Sequence, residues 1–423
     1  VVIVRVNTIN GNELSIPDGY KKSKVGIIPE DWKIKKFKDI TTILKCGIAS
    51  TPTYVEDGVP FLSSQNVKEN KIVLDKYKFV SNEFHKKLTK NAKPQRGDIL
   101  YTRVGASFGK AAVVDFDWEF SVYVSLTLIR MKESYNNYFY SYLLNSDKYV
   151  FNAQKTVFQG GGVQNLNVKE VEKFDMVVPP IKEQNKIAEI LLTWDKAIEL
   201  KEKLIEKKKD QKEGLLQKLM NGEIRLPGFV DKWKEVKLGE IFELSTGKSK
   251  SRYIEPKGKF IIVDMGGVST EGSLISKKET NHGSDMLTYG DLVMVKDDIG
   301  GGNIIGKVVF IDKNDRYILG DHVYKLTNLT GDSEFLSYLI NSRIVNNDFR
   351  KKANGTAQLG LGRKDVESQV LRVPVYEEQK AIAKILSTID NEIELLNKET
   401  SEIKQQKKGL MQLLLTGEVR VKA

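Results

Sequence analysis

Polar and basic side chains recur on short loops that follow apolar runs. FLSSQNVKENK (61–71) carries Ser64, Gln65, Asn66 and Lys68, and YTRVGASFGK (101–110) carries Thr102, Arg103, Ser107 and Lys110. TVFQGGGVQNLN (156–167) sets Gln159, Gln164 and Asn165 around three glycines. Farther along stand Lys296, Asn303 and Lys307, then His322, then Thr356, Gln358 and Arg363. Arg and Lys grip phosphates or read guanine, and Asn and Gln read adenine. Glycine lets backbone N–H groups approach a phosphate, so the set suits contacts to nucleic acid. Taken singly, each residue is more often a solvated loop residue. The constellation gains weight because it occurs twice, on basic segments.

Catalytic patterns are a poor match. STGKSK (245–250) has Phe242 where a phosphate-binding loop needs glycine. GGNIIGKV (301–308) has the glycine spacing, but Val308 stands where Ser or Thr would bind Mg²⁺, and an apolar run, VVFID, follows instead of a helix. His85, His282 and His322 show no metal-ligand spacing, and the single cysteine, Cys46, excludes a disulfide framework or a Cys-rich metal site. GASFG (105–109) has the letters of G-x-S-x-G, but the β-branched run KAAVVDF follows it where a nucleophile elbow needs a helix, and there is no Asn/Asp-Pro-Pro-aromatic tetrapeptide of an amino-methyltransferase. VPPIKE has the two prolines, but Val178 and Ile181 flank them, which reads better as a helix start. Neither a metal nor a cofactor is therefore expected in this chain.

The loops lie on a duplicated frame. EQNKIAEILLTWDKAIELKEKL (183–204) nearly recurs as EQKAIAKILSTIDNEIELLNKE (378–399), at a constant offset of 195 that persists to Arg225 and Arg420. Each copy reads as a long helix with a heptad seam. The seam is Ile187, Leu191, Trp194, Ile198, Ile205, Leu215 and Leu219 in the first, interrupted by Lys201, Lys208 and Lys212. In the second it is Ile382, Leu386, Ile389, Ile393, Leu396, Ile403, Leu410 and Leu414, with Thr400 and Lys407. Prolines start each helix and Gly222 and Gly417 stop it. The preceding segments match more loosely, through Trp32/Trp233, Gly97-Asp98/Gly290-Asp291 and YLLNS/YLINS. Their alternating and β-branched runs between glycine turns, with short helices, read as α+β. The expected organisation is a domain over 1–178 with a leader at 1–24, a helix over 179–222, a domain over 223–373, and a helix with a tail over 374–423.

Net charge is +11, and the two helix windows, 183–221 and 378–416, contribute only +1 and 0. The basic surplus thus sits on the other segments, which suits a polyanion. No run of eighteen apolar residues is present and VVIVRV is too short for a signal peptide, so the expected setting is the cytoplasm, with no membrane.

On these motifs the chain resembles the DNA-specificity subunit of type I restriction–modification systems. Gly26, Ile28, Pro29 and Trp32 form its G-x-I-P-x-x-W entry. PP-x-x-EQ-x-x-IA-x-IL then opens a helix ending in LLQKLMNGEIRLPG, and domain and helix come again. The second copy departs in having VPVYEEQ for VPPIKEQ and no Ile-Pro at its entry.

The resemblance implies two homologous target-recognition domains separated by two long helices, which form an antiparallel coiled coil with pseudo-twofold symmetry. Each domain would read one half of a split double-stranded DNA target. The coiled coil would dock two methyltransferase subunits, and restriction/translocase subunits would join the full complex. S-adenosylmethionine, ATP and Mg²⁺ would belong to those partners, leaving this chain non-catalytic. The family's recognition domains vary greatly, so no base-contacting residue carries over. Two other classes are a coiled-coil scaffold without DNA recognition and a fused methyltransferase or nuclease. A salt-dependent shift with duplex DNA, or bound S-adenosylmethionine, would separate them from the specificity subunit.

Overall fold

The computed structural model describes residues 2–3, 16–48, 52–105, 107–157, 165–355 and 358–422. The chain forms two compact units, one comprising Val1–Lys201 and Glu399–Ala423, the other Glu202–Lys398. The boundary falls inside both long helices, Ile181–Met220 and Tyr376–Thr416. Each unit therefore contains an α+β domain, the start of the helix that follows it and the end of the other helix.

In the first unit a four-stranded antiparallel sheet has the order Ala111–Val113, Ile99–Thr102, Leu126–Met131, Thr41–Cys46. A three-stranded sheet is centred on Val59–Leu62, parallel to Ser121–Val122 and antiparallel to Lys78–Val80. The second unit repeats both orders: Val308–Phe310, Leu292–Val295, Val323–Asn328 and Phe242–Thr246 in one sheet, and Phe260–Val263 between Tyr317–Leu319 and Glu279–Thr280 in the other.

The duplicated Gly-Asp pair builds the turn before each central strand. Gly97 and Gly290 have φ of +88° and +90°, a region that favours glycine. Asp98 accepts from Gln95 N at 2.9 Å and pairs with Arg130 at 2.7 Å. Asp291 accepts from Thr288 N at 2.7 Å and pairs with Lys325 at 3.0 Å. Every residue of the strands that follow is buried, which explains their unbroken apolar runs.

The long helices span 40 and 41 residues. All the expected seam positions are buried or half-buried. In the first unit Ile187, Leu191, Leu414 and Leu415 join Trp32, Phe37 and Phe139 in one core. In the second, Leu219, Ile382 and Leu386 join Phe242, Phe335 and Phe349. Truncating one such leucine to alanine costs about 2–5 kcal/mol, so the helices contribute strongly to each unit's core. The lysines interrupting the seam have acidic partners. Lys201 meets Glu399 at 2.6 Å and Lys407 meets Asp195 at 2.5 Å in the first unit. Lys208 meets Glu392 at 2.8 Å and Lys212 meets Asp390 at 2.5 Å in the second. In each unit the residue numbers rise along one helix as their partners fall along the other, so the two segments run antiparallel.

Candidate nucleic-acid interface

The loops singled out in the first unit gather at the end of its central strand. Arg103 follows Thr102 directly, and its backbone accepts from Leu166 N and donates to Ser125 O, both at 3.0 Å. Its guanidinium donates to Leu166 O at 2.8 Å and to Asn165 Oδ1 at 2.9 Å. Ser64 N donates to Ser125 Oγ at 3.0 Å, and a Cβ on Gly105 would lie 3.3 Å from Ser64 Oγ. Ser64, Arg103, Gly105, Ser125 and Asn165 thus form one rim, in which Arg103 and Ser125 are buried beneath the surface at 8% and 6% exposure. Gln65 and Asn165 are exposed on it.

Other residues from these loops serve the frame. Asn66 is buried and bonds to Ser63 N, Val73 O and Lys76 O. Thr102 is fully buried. The Ser107 carbonyl closes a turn onto Lys110 N at 3.1 Å, and Lys110 pairs with Glu69 at 2.9 Å. Lys68 is exposed on its strand. Gln159, Gln164 and Thr356 lie outside the described residues.

The second unit repeats the backbone plan with other side chains. Lys296 N donates to His322 O at 3.1 Å, and Leu361 N donates to Lys296 O at 2.8 Å. Lys296 therefore stands where Arg103 stands. His322, in the left-handed region at φ +60°, places Nδ1 2.9 Å from Asp297 Oδ2. The Gly300–Gly302 loop is four residues longer than its counterpart. Asp298 organises it by accepting from Gly300 N at 2.5 Å and Ile304 N at 2.9 Å. Asn303 donates to Gly300 O at 3.0 Å within the loop, and Ile299 is 64% exposed at its tip.

Lys296, Asn303, His322 and the exposed Gln358 belong to this rim. Lys307 turns inward and donates to Asn341 O at 2.9 Å, and burial holds its ammonium pKa below the usual lysine range. Arg363 is exposed and bonds to Glu367 one turn on, at 2.7 Å. Ser125, Asp298 and Ile299 were not evident from the sequence. Asp298 and Ile299 carried one signal, their place beside three consecutive glycines.

The second repeated feature joins each domain to its helices. Tyr142 Oη donates to Asp195 at 2.5 Å, and Lys407, which pairs with the same carboxylate, lies over the Tyr142 ring at 5.2 Å. Tyr338, Asp390 and Lys212 repeat the arrangement, with Tyr338 Oη 2.7 Å from Asp390 and Lys212 5.3 Å from the ring centroid. Burial, then the bonded carboxylate, raise both phenol pKa values far above their usual range.

The Glu-Gln pair opening each helix forms a second fastening. Glu183 accepts from Arg420 Nε at 2.7 Å, and Glu378 accepts from Arg225 Nε at 2.7 Å. Gln184 accepts from Asn136 N at 3.0 Å and donates to Pro179 O at 2.8 Å. Gln379 does the same with Asp332 N and Pro374 O, both at 2.9 Å. Among the described residues, no group of three or more His, Cys, Asp or Glu is arranged to hold a metal ion, and no helix is long and apolar enough to cross a membrane.

Two α+β domains of one plan, each fastened to long helices and each presenting a loop rim, define a duplicated recognition protein. The chain belongs to the type I restriction–modification specificity subunits, and the type I restriction modification DNA specificity domain matches it twice, over residues 29–208 and 230–405. Relatives include two proteins of Methanocaldococcus jannaschii. The putative type I restriction enzyme MjaX specificity subunit is 26% identical over 428 residues, spanning 96% of this chain and 97% of that protein. The type I restriction enzyme MjaVIII specificity subunit is 26% identical over 417 residues, spanning 93% and 94%. The type I restriction–modification S subunit from M. genitalium shares the fold at a TM-score of 0.58 and 15% identity, over 90% of this chain and 96% of that one. So does a chain from a study of assembly and conformational transition in the type I system, at 0.57 and 15%, over 93% and 99%.

Proposed function

We propose that each unit reads one half of a bipartite duplex target through its loop rim, and that the paired helices dock two methyltransferase subunits. Restriction/translocase subunits complete the assembly. S-adenosylmethionine, ATP and Mg²⁺ act in those partners, and this chain contributes recognition without catalysis. The observation that carries the reading is the pairing of Arg103 with Lys296. Both stand at the same backbone position of the repeated plan, on loops that otherwise differ in length and side chains. A conserved frame with divergent loops is what two half-site readers of different sequence require. The duplicated fastenings support two equivalent partner sites, because a partner binding twice needs the same surface twice.

The test is methylation of a library with randomised sequence and spacer by this chain reconstituted with its methyltransferase partner. Methylated adenines should flank a nonspecific gap. Exchanging residues 228–372 for the matching segment of a relative should change one half-site only. Loss of both half-site preferences in a folded, partner-binding chimera refutes the reading. Duplex binding that does not weaken with salt also opposes it, because phosphate contacts release counterions.

A further inference from the structure

One unit fills a space that the other leaves open. In the first, Tyr149 is buried, donates to Asp175 O at 2.6 Å, and lies 6.3 Å from the Phe174 ring, centroid to centroid. The antiparallel hairpin Tyr20–Ser23 and Gly26–Pro29 covers this face, with Ile28 buried and Val25 O accepting from Lys148 Nζ. Ser146 Oγ donates to Leu143 O at 2.7 Å and Trp32 Nε1 to Glu183 at 3.0 Å. No polar atom among these is left without a partner.

In the second unit Val345 replaces Tyr149 and Gln369 replaces Phe174, so two rings are missing. Ile344, in the place of Lys148, is 52% exposed. A cavity of about 270 Å³ results, lined by Met220, Trp233, Leu339, Ser342 and Val345, with Glu235 and Arg372 also on its wall. Two buried polar atoms from its lining, Trp233 Nε1 and Ser342 Oγ, have no hydrogen-bond partner among the described residues, and Ser342 is only 3% exposed. Leaving such groups unmade is costly. Apolar walls with a few convergent polar groups are the composition of a small-molecule site.

We infer that this cavity binds a small neutral aromatic molecule carrying a hydroxyl, a phenol-sized ring. The ring replaces the missing aromatic surface. The hydroxyl accepts from Trp233 Nε1 and exchanges a hydrogen bond with Ser342 Oγ. Glu235 and Asp348 against the single Arg372 leave the wall net negative, which disfavours an anion.

The test is calorimetric titration of the full chain with p-cresol, with toluene as the ring lacking the hydroxyl. One p-cresol should bind per chain, at least tenfold more tightly than toluene. Ser342→Ala should weaken p-cresol about tenfold and leave toluene unchanged. Val345→Tyr should abolish binding by filling the space from within. Absence of p-cresol binding to the wild-type chain overturns the inference. So does toluene binding as tightly as p-cresol, which would mean that water serves the two polar atoms. Undiminished p-cresol affinity in both folded variants would place the ligand elsewhere and overturn it equally. If Val345→Tyr does not fold, the Ser342→Ala result decides.

Discussion

Replacing Glu183 or Glu378 with alanine perturbs the same fastening twice, with one difference. Glu183 accepts from Arg420 at 2.7 and 2.8 Å and also from Trp32 Nε1 at 3.0 Å. Glu378 accepts from Arg225 Nε and Nη2, each at 2.7 Å, while Trp233 Nε1 has no partner among the described residues. Each arginine keeps a second acceptor after the substitution: Asp31 for Arg420 and Asp231 O for Arg225. Trp32 is fully buried, so Glu183→Ala strands a donor that water does not reach. A stranded buried donor costs about 1–3 kcal/mol. Trp233 is already stranded and adds nothing to the cost of Glu378→Ala.

Glu183→Ala should therefore destabilise its unit by about 1–3 kcal/mol more than Glu378→Ala destabilises the other. With a urea slope of roughly 2 kcal/mol/M, an excess of about 2 kcal/mol lowers that unit's midpoint by about 1 M further. The assay is urea unfolding of the full chain, followed by tryptophan fluorescence and far-UV circular dichroism. Adding Trp32→Phe should remove the excess, because the donor is then gone in both members of the cycle. Equal midpoint shifts for the two alanine variants, or an excess that survives Trp32→Phe, would refute the reasoning.

At the other fastening, Asp195→Asn and Asp390→Asn each uncouple a domain tyrosine from the long-helix lysine. Methylation mapping should show unchanged half-site sequences with a broader range of spacers, and an unaltered spacer distribution would count against this. Arg103 uses its fork on Leu166 and Asn165, so Arg103→Lys should cost nearly as much first half-site affinity as Arg103→Ala, about 1–3 kcal/mol. Full rescue by lysine in a duplex titration would show that only the charge matters. Lys68→Ala should weaken all duplexes alike and reduce the salt slope by about one; a sequence-dependent loss would assign Lys68 to base reading instead. Burial holds the His85 imidazole below its usual range despite nearby Glu119. The unfolded chain then takes up a proton that the folded chain resists, so the contribution of His85 is constant above about pH 6.5 and falls as pH drops below it. Urea midpoints of the wild type and His85→Gln should diverge in that window, and parallel curves would exclude the linkage.

The long helices and their seam were legible because a strong period repeats over dozens of residues. The seam lysines read as fraying, since periodicity counts only apolar positions, while their partners Glu399, Glu392, Asp390 and Asp195 lie on the other helix. The Gly-Asp turns were visible as a repeated pair, and the structure supplies their reason in Arg130 and Lys325. The division of loop residues between rim and frame was not legible. Lys307 is committed to Asn341, 34 residues away, and Arg103 to Leu166, 63 residues away, and local pattern carries no record of such contacts. The cavity was hidden for the same reason, needing both the Tyr149/Val345 difference and the hairpin that covers only one copy.

The first unit takes Glu399–Ala423 into its own fold, whereas the second is the unbroken stretch Glu202–Lys398. This fixes an order of completion during synthesis. At about 5–20 residues per second, the ribosome adds Arg420, the partner of Asp31, roughly 20–80 s after Asp31 itself. Through that interval Trp32 and Phe37 wait beside an unfilled place for Met411, Leu414 and Leu415. The domain that begins first is finished last, and the one begun second can close while the first is still open. A chain arrested before residue 399 would hold a complete second unit and a first unit with a bare apolar edge, a substrate for chaperones or proteases. Loss of residues 411–420 would then be felt most around Trp32 and Phe37.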